Sequence, residues 1–88
     1  MIRRRVVVHG LVQGVFFRDT CRQEAQRRDV TGWIRNADDG TVQAEFEGPS
    51  DAVEAMVAWC RQGTSRAQVE RVEVTDLDPV GAPGFHVR

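Results

Sequence analysis

Two short segments hold the residues whose types and spacing could do chemistry. The first is Gly10 to Arg18, GLVQGVFFR, where a β-branched run passes through a glycine-bracketed loop into a helix start. Gly14 can adopt positive φ, which lets consecutive main-chain N–H groups turn inward as an anion-binding nest. The helix dipole adds positive potential at the same place. Arg18, in the first helical turn, could fold its planar guanidinium over the loop to grip a phosphate or carboxylate. The loop side chains Leu11, Val12, Val15, Phe16 and Phe17 are expected to pack and keep the main chain rigid. The same pattern also describes an ordinary strand–loop–helix unit with a solvated arginine.

The second segment is Gly32 to Gly40, GWIRNADDG. Asn36 shares the inward face of its strand with Val30 and Ile34, just before the turn Asp38-Asp39-Gly40. Asparagine commonly initiates turns. That turn already has its own turn residues, however, and an inward carboxamide needs either hydrogen-bond partners or a job.

Composition narrows the chemistry further. The chain has 88 residues and a net charge of −1; all 12 of its cationic Lys/Arg residues are Arg, and it has no Tyr. Schiff-base lysines, P-loop lysines and tyrosine acids are therefore excluded. Cys21 and Cys60 stand alone without CxxC or nearby His, so they read as buried free thiols and no metal site or other cofactor is expected. Ser50 reads as a helix cap and Ser65 as a loop residue, which argues against a serine triad. His9 and His86 read as edge or surface histidines. Only Val6, Val7 and Val8 follow the arginines Arg3–Arg5, too few for an export signal, and no stretch is long enough to span a membrane. A cytoplasmic protein is expected, and Met1 suggests a free-standing one.

The elements that must position these residues follow from periodicity. Arg3–His9 reads as a strand; Phe17, Cys21 and Ala25 form a helical stripe; Val30–Asn36 reads as a strand. Val42, Ala44 and Phe46 alternate with Thr41, Gln43, Glu45 and Glu47, which predicts a half-buried strand with those polar residues exposed. Ser50 should cap a helix whose stripe is Val53, Met56, Val57 and Cys60 and which ends at Gly63. Strands at Gln68–Asp76 and Phe85–Arg88 complete the chain. Arg3–Arg5 are expected to be solvated or paired with Glu70 and Glu73. The order βαββαβ plus a terminal strand predicts one domain, residues 1–88. Its fold class is α+β, a two-layer ferredoxin-like sandwich with an antiparallel sheet and both helices on one face.

Taken together, GLVQGVFFR and GWIRNADDG resemble the acylphosphatase family, whose pattern is approximately G-x-V-Q-G-V-x-F-R followed by G-W-V-x-N-x-x-D-G. The resemblance spans essentially the whole chain. It implies that the loop Val12, Gln13, Gly14, Val15, Phe16 and Phe17 binds phosphate, that Arg18 clamps it, and that Asn36 orients the attacking water. Ala37 stands where many members carry a hydroxyl residue, Ile34 replaces the usual Val, and the sequence ends at Arg88 without the aromatic of some members.

The implied chemistry suits the residues present. The leaving carboxylate of an acyl phosphate needs no proton, so a site without Lys, Tyr or an obvious His suffices for metal-independent hydrolysis. The expected substrate is a small acyl phosphate, with inorganic phosphate or sulfate as competing anions and a monomer as the working form. A non-catalytic module binding RNA or an anionic metabolite is the main alternative, and a domain of a larger maturation enzyme is another. The acidic, non-aromatic face of the third strand and the net charge of −1 argue against nucleic acid.

Overall fold

The computed structural model describes residues 1–88. Seven elements follow one another: β1 (Ile2–Leu11), α1 (Phe17–Arg27), β2 (Thr31–Asn36), β3 (Val42–Gly48), α2 (Ser50–Gln62), β4 (Gln68–Leu77) and β5 (Phe85–Val87). They form a five-stranded sheet of order β4-β1-β3-β2-β5, antiparallel except for the parallel pair β2–β5. This is the expected ferredoxin-like sandwich with β1 and β3 central, extended at the β2 edge by the terminal strand. No helix is long and apolar enough to cross a membrane.

Side chains alternate between the two faces of a strand, so the register shows what each cross-strand row does. Val6, Ala44 and Ile34 form one inward row and are fully buried. The next row is Val8, Val42 and Asn36, so Asn36 is the polar end of a core row. On the other side, Phe46 and Phe85 flank Gly32 and stack with ring centroids 5.8 Å apart. A Cβ at Gly32 would lie 1.8 Å from the Glu45 carbonyl oxygen, which explains the glycine there.

Both helices cover this inward face. α1 buries Phe17, Cys21 and Ala25; α2 buries Val53, Met56, Val57 and Cys60, the stripes expected from their spacing. Phe17 meets Trp59 edge-on at 5.0 Å, which ties the two helices together. The two cysteines are free and buried; burial pushes the Cys21 thiol up, reinforced by a hydrogen bond with Cys60. Gly63 ends α2 as expected, its N–H donating to Trp59. Ser50 does not cap that helix. It is the first helical residue, the cap position falls on Pro49, and no side chain caps the end.

The opposite face departs from expectation. Thr41, Glu45 and Glu47 are buried rather than exposed, and so is Arg3. Arg3 donates to Glu45 at 2.8 Å and to Glu47 at 3.1 Å, while Arg5 donates to Glu45 at 2.8 Å. Glu47 also accepts from the main-chain N–H groups of Val80 (2.7 Å) and Gly81 (3.0 Å), so the loop between β4 and β5 folds over the pair. The arginines thus pair mainly with β3, and Arg4 with Asp76 and Glu54. Glu73 pairs with Arg71 instead and lies 3.2 Å from the His9 ring nitrogen. A period-2 pattern assigns a residue to a face, but it does not reveal that a later loop will cover that face.

These contacts set a pH dependence. The Val80 and Gly81 N–H groups and Arg3 hold the Glu47 carboxyl below its usual range. Burial pushes Glu45 up, but hydrogen bonds from Arg5 and Arg3 outweigh it and leave that carboxyl lowered too. A carboxylate lowered by folding stabilises the fold above its ordinary pKa of about 4.3 and loses that contribution as pH falls through the folded value. Thermal melts between pH 7 and pH 3 should therefore show Tm falling in acid. Glu47→Gln should have a lower Tm at pH 7 and a shallower fall. Parallel curves for the two proteins would rule out the assignment.

Candidate active site

The chain between β1 and α1 is built on two left-handed residues. Gly14 has φ 75°, as expected, but Phe16 also has φ 64° and occupies the helix N-cap position without a side-chain cap. A non-glycine residue in that region costs about 1–2 kcal/mol. As a result the main-chain N–H groups of residues 12–19 donate to no acceptor in the chain, and Thr20 is the first to do so, to the Phe16 carbonyl at 3.1 Å. Eight consecutive donors thus lack an acceptor in the chain, the condition under which a loop can receive an anion.

Neighbouring elements hold this segment in place. Val12, Val15 and Phe17 are anchored in the core. The Gln13 carboxamide donates to the carbonyls of Ala37 (2.8 Å) and Thr41 (2.9 Å), fastening the loop to the turn that follows Asn36. That turn is closed by its own bonds: Ala37 donates to Thr41, Gly40 donates to Ala37, and Asp39 accepts from the N–H and hydroxyl of Thr41. On the other flank the Thr64 hydroxyl donates to the Val15 carbonyl at 2.8 Å. Leu11 and Phe16 do not pack as expected: both are exposed, Phe16 to 66%.

A hollow of about 460 Å³ opens beside the loop. Val12, Gly14, Phe16, Phe17, Arg18 and Asn36 all line it, so six of the eight residues singled out in the sequence converge there. Gln13 and Val15 do not line it; their side chain and carbonyl are taken up in holding the loop. Asn36 is half-buried and its carboxamide makes no hydrogen bond within the protein. Arg18 donates to the main-chain oxygen of Arg88 at 3.2 Å. Arg88 in turn donates its N–H to Ile34 at 2.8 Å, which couples the arginine to the strand carrying Asn36.

Three further lining residues lay outside the sequence reading: Asp19, Arg22 and Val87. Arg22, four residues after Arg18 on the same helix face, could have been found by that spacing. It is paired with Asp19 at 2.8 Å, so the wall carries two guanidinium groups against one carboxylate. Val87 had no signal, because its position depends on β5 pairing parallel to β2. Thr64 had none either, since it acts from a distant loop through its hydroxyl.

Each carbonyl that receives Gln13 has a second donor, so losing the carboxamide leaves neither of them orphaned. Gln13→Ala should therefore cost only about 1 kcal/mol in denaturant unfolding. It should also speed amide exchange at residues 12–16 far more than in the core strands. Unchanged exchange in that loop would show that the fastening is not what holds it.

Comparison with known proteins agrees with this architecture. The acylphosphatase family model matches residues 4–87. An acylphosphatase of Natronomonas pharaonis is 52% identical over 87 residues, which cover 99% of this chain and 95% of that protein. One from Haloarcula marismortui is 55% identical over 86 residues, covering 98% and 94%. The crystal structure of acylphosphatase from Bacillus subtilis superposes with a TM-score of 0.95 at 35% identity, covering 100% of this chain and 99% of that one. With sequence and fold both matched from end to end, the chain belongs to the acylphosphatase family.

Proposed function

We propose that this protein hydrolyses acyl phosphates to a carboxylate and inorganic phosphate. One observation carries the reading: a loop whose main-chain amides have no acceptor in the chain, a guanidinium and a carboxamide without a protein partner, contributed by different elements, come together at a single hollow. The amides of the loop Val12–Phe17 and Arg18 would seat the phosphoryl oxygens. Asn36, facing them from β2, would hold water in line with the bond to be broken.

The reaction then needs little else. The water oxygen forms a bond to phosphorus as the acyl–oxygen to phosphorus bond breaks, and that electron pair leaves with the carboxylate. Because the carboxylate is stable without a proton, no general acid is required. Asn36 is not basic near neutrality, so the proton of the water passes to a phosphoryl oxygen of the substrate itself. Catalysis by position and charge neutralisation is the usual pattern for phosphoryl transfer. In this scheme Arg18 and the amides neutralise the charge, no phosphoenzyme forms, and no step is assigned to a metal. The working form in this reading is a cytoplasmic monomer of one domain, with phosphate or sulfate competing for the seat.

Hydrolysis of benzoyl phosphate in excess chelator is the direct test. Arg18→Gln should lower kcat/KM about 10²–10³-fold, the usual loss for one preorganised donor, and weaken inhibition by phosphate. Asn36→Ala should lower kcat at least about 10²-fold while phosphate inhibits nearly as before. Near-normal turnover by Asn36→Ala would remove the water-holding role. Failure of the wild-type protein to release phosphate would remove the activity.

A further inference from the structure

We propose that Phe16 and Val87 form an apolar subsite for the acyl group, so that the protein favours acyl phosphates with an aryl or bulky acyl part over acetyl phosphate. This deepens the hydrolase reading and rests on it for the position of the phosphoryl group. The hollow has four apolar walls of two kinds. Val12 and Phe17 are buried and belong to its floor, whereas Phe16 and Val87 are 66% and 42% exposed and stand at its mouth. An anion seated on the loop amides and Arg18 must point its remaining substituent toward that mouth.

Single exposed apolar residues are ordinary, and Val74 and Val80 are of that sort. Phe16 differs in how it is held. Its neighbours Val15 and Phe17 are both buried, its own carbonyl accepts from Thr20, and the Val15 carbonyl is fixed by Thr64. The left-handed φ of 64° turns this one ring out from between two core anchors. The Arg66 guanidinium lies 5.6 Å from the ring centroid and steadies it from outside the hollow. A rigid aromatic with little conformational freedom left to lose is well suited to contact a ligand. Val87, the other exposed apolar residue that lines the hollow, comes from β5, an element independent of the loop.

The test compares benzoyl with acetyl phosphate for the wild type, Phe16→Gly and Phe16→Leu. Glycine suits the left-handed position, so its substitution removes the ring without straining the main chain. The intrinsic reactivities of the two substrates cancel when their kcat/KM ratio is compared between variants. Phe16→Gly should reduce the benzoyl-to-acetyl ratio about five- to tenfold, and Phe16→Leu less than about threefold, as befits a half-open apolar contact. Calorimetry with benzylphosphonate and methylphosphonate should show the same order in affinity, independently of turnover. If Phe16→Gly leaves both ratios within about twofold of wild type, the subsite is overturned. Wild-type protein that discriminates between the phosphonates but hydrolyses neither acyl phosphate would overturn the hydrolase reading and leave the subsite standing.

Discussion

The whole site depends on how the main chain passes from β1 into α1 without satisfying its own amides. Eight N–H groups in a row, residues 12–19, have no acceptor in the protein, and two residues of that stretch sit at positive φ. Left-handed geometry at Phe16 costs free energy, and the N–H groups of the loop make no hydrogen bond within the chain to offset it, so contacts outside the loop must impose this shape. The imposition is visible as three anchors in the core and two hydrogen-bonded braces, Gln13 to the β2–β3 turn and Thr64 to Val15. In the proposed reading an anion supplies those acceptors, and the loop serves as its seat.

The two faces of the sheet support that loop in different ways. The inward face is dry, and its rows run from Val8 through Val42 to Asn36, which sets the carboxamide against a rigid backing. The outward face is charged and covered only at one end: Arg3 lies buried between Glu45 and Glu47, and Glu47 holds the loop after β4 through two N–H groups. A buried ion pair is weak evidence for stability, because desolvation offsets much of the attraction. Its value here is geometric. The fastened loop delivers β5 to the β2 edge, and β5 brings Val87 and the Arg88 oxygen to the hollow and to Arg18.

What could be read from the sequence follows from which physics is local. The stripes of α1 and α2, the core rows of β3 and the glycine at residue 14 all come from periodicity or from steric permission at one position. Arg18 and Asn36 were legible because each stands at a junction between elements, where a polar side chain has no packing reason to be. Phe16 was misjudged because an apolar side chain says nothing about whether its own φ will turn it outward. Glu45 and Glu47 were placed on the correct face but in the wrong environment, since Arg3 and Arg5 reach over Glu45 from β1 and a loop more than thirty residues away closes on Glu47. The partners of Arg3 were missed for a different reason: opposite charges lay on both neighbouring strands, and only the register decides between them.

Asn36 brings these constraints together. A carboxamide neither gains nor loses a proton near neutrality, so anything it contributes must come from where its donors and acceptor are held. Its position is fixed by the core row on one side, by the Gln13-fastened turn on the other, and by the Ile34–Arg88 bond that runs on to Arg18. A histidine or carboxylate at this point would bring its own titration and its own charge beside a phosphoryl group. In the proposed reading, a neutral residue avoids repelling the phosphoryl group and leaves the electrostatics of the hollow to the loop and the guanidinium. In the proposed mechanism, an accurately placed neutral carboxamide takes the position that a general base holds in other sites.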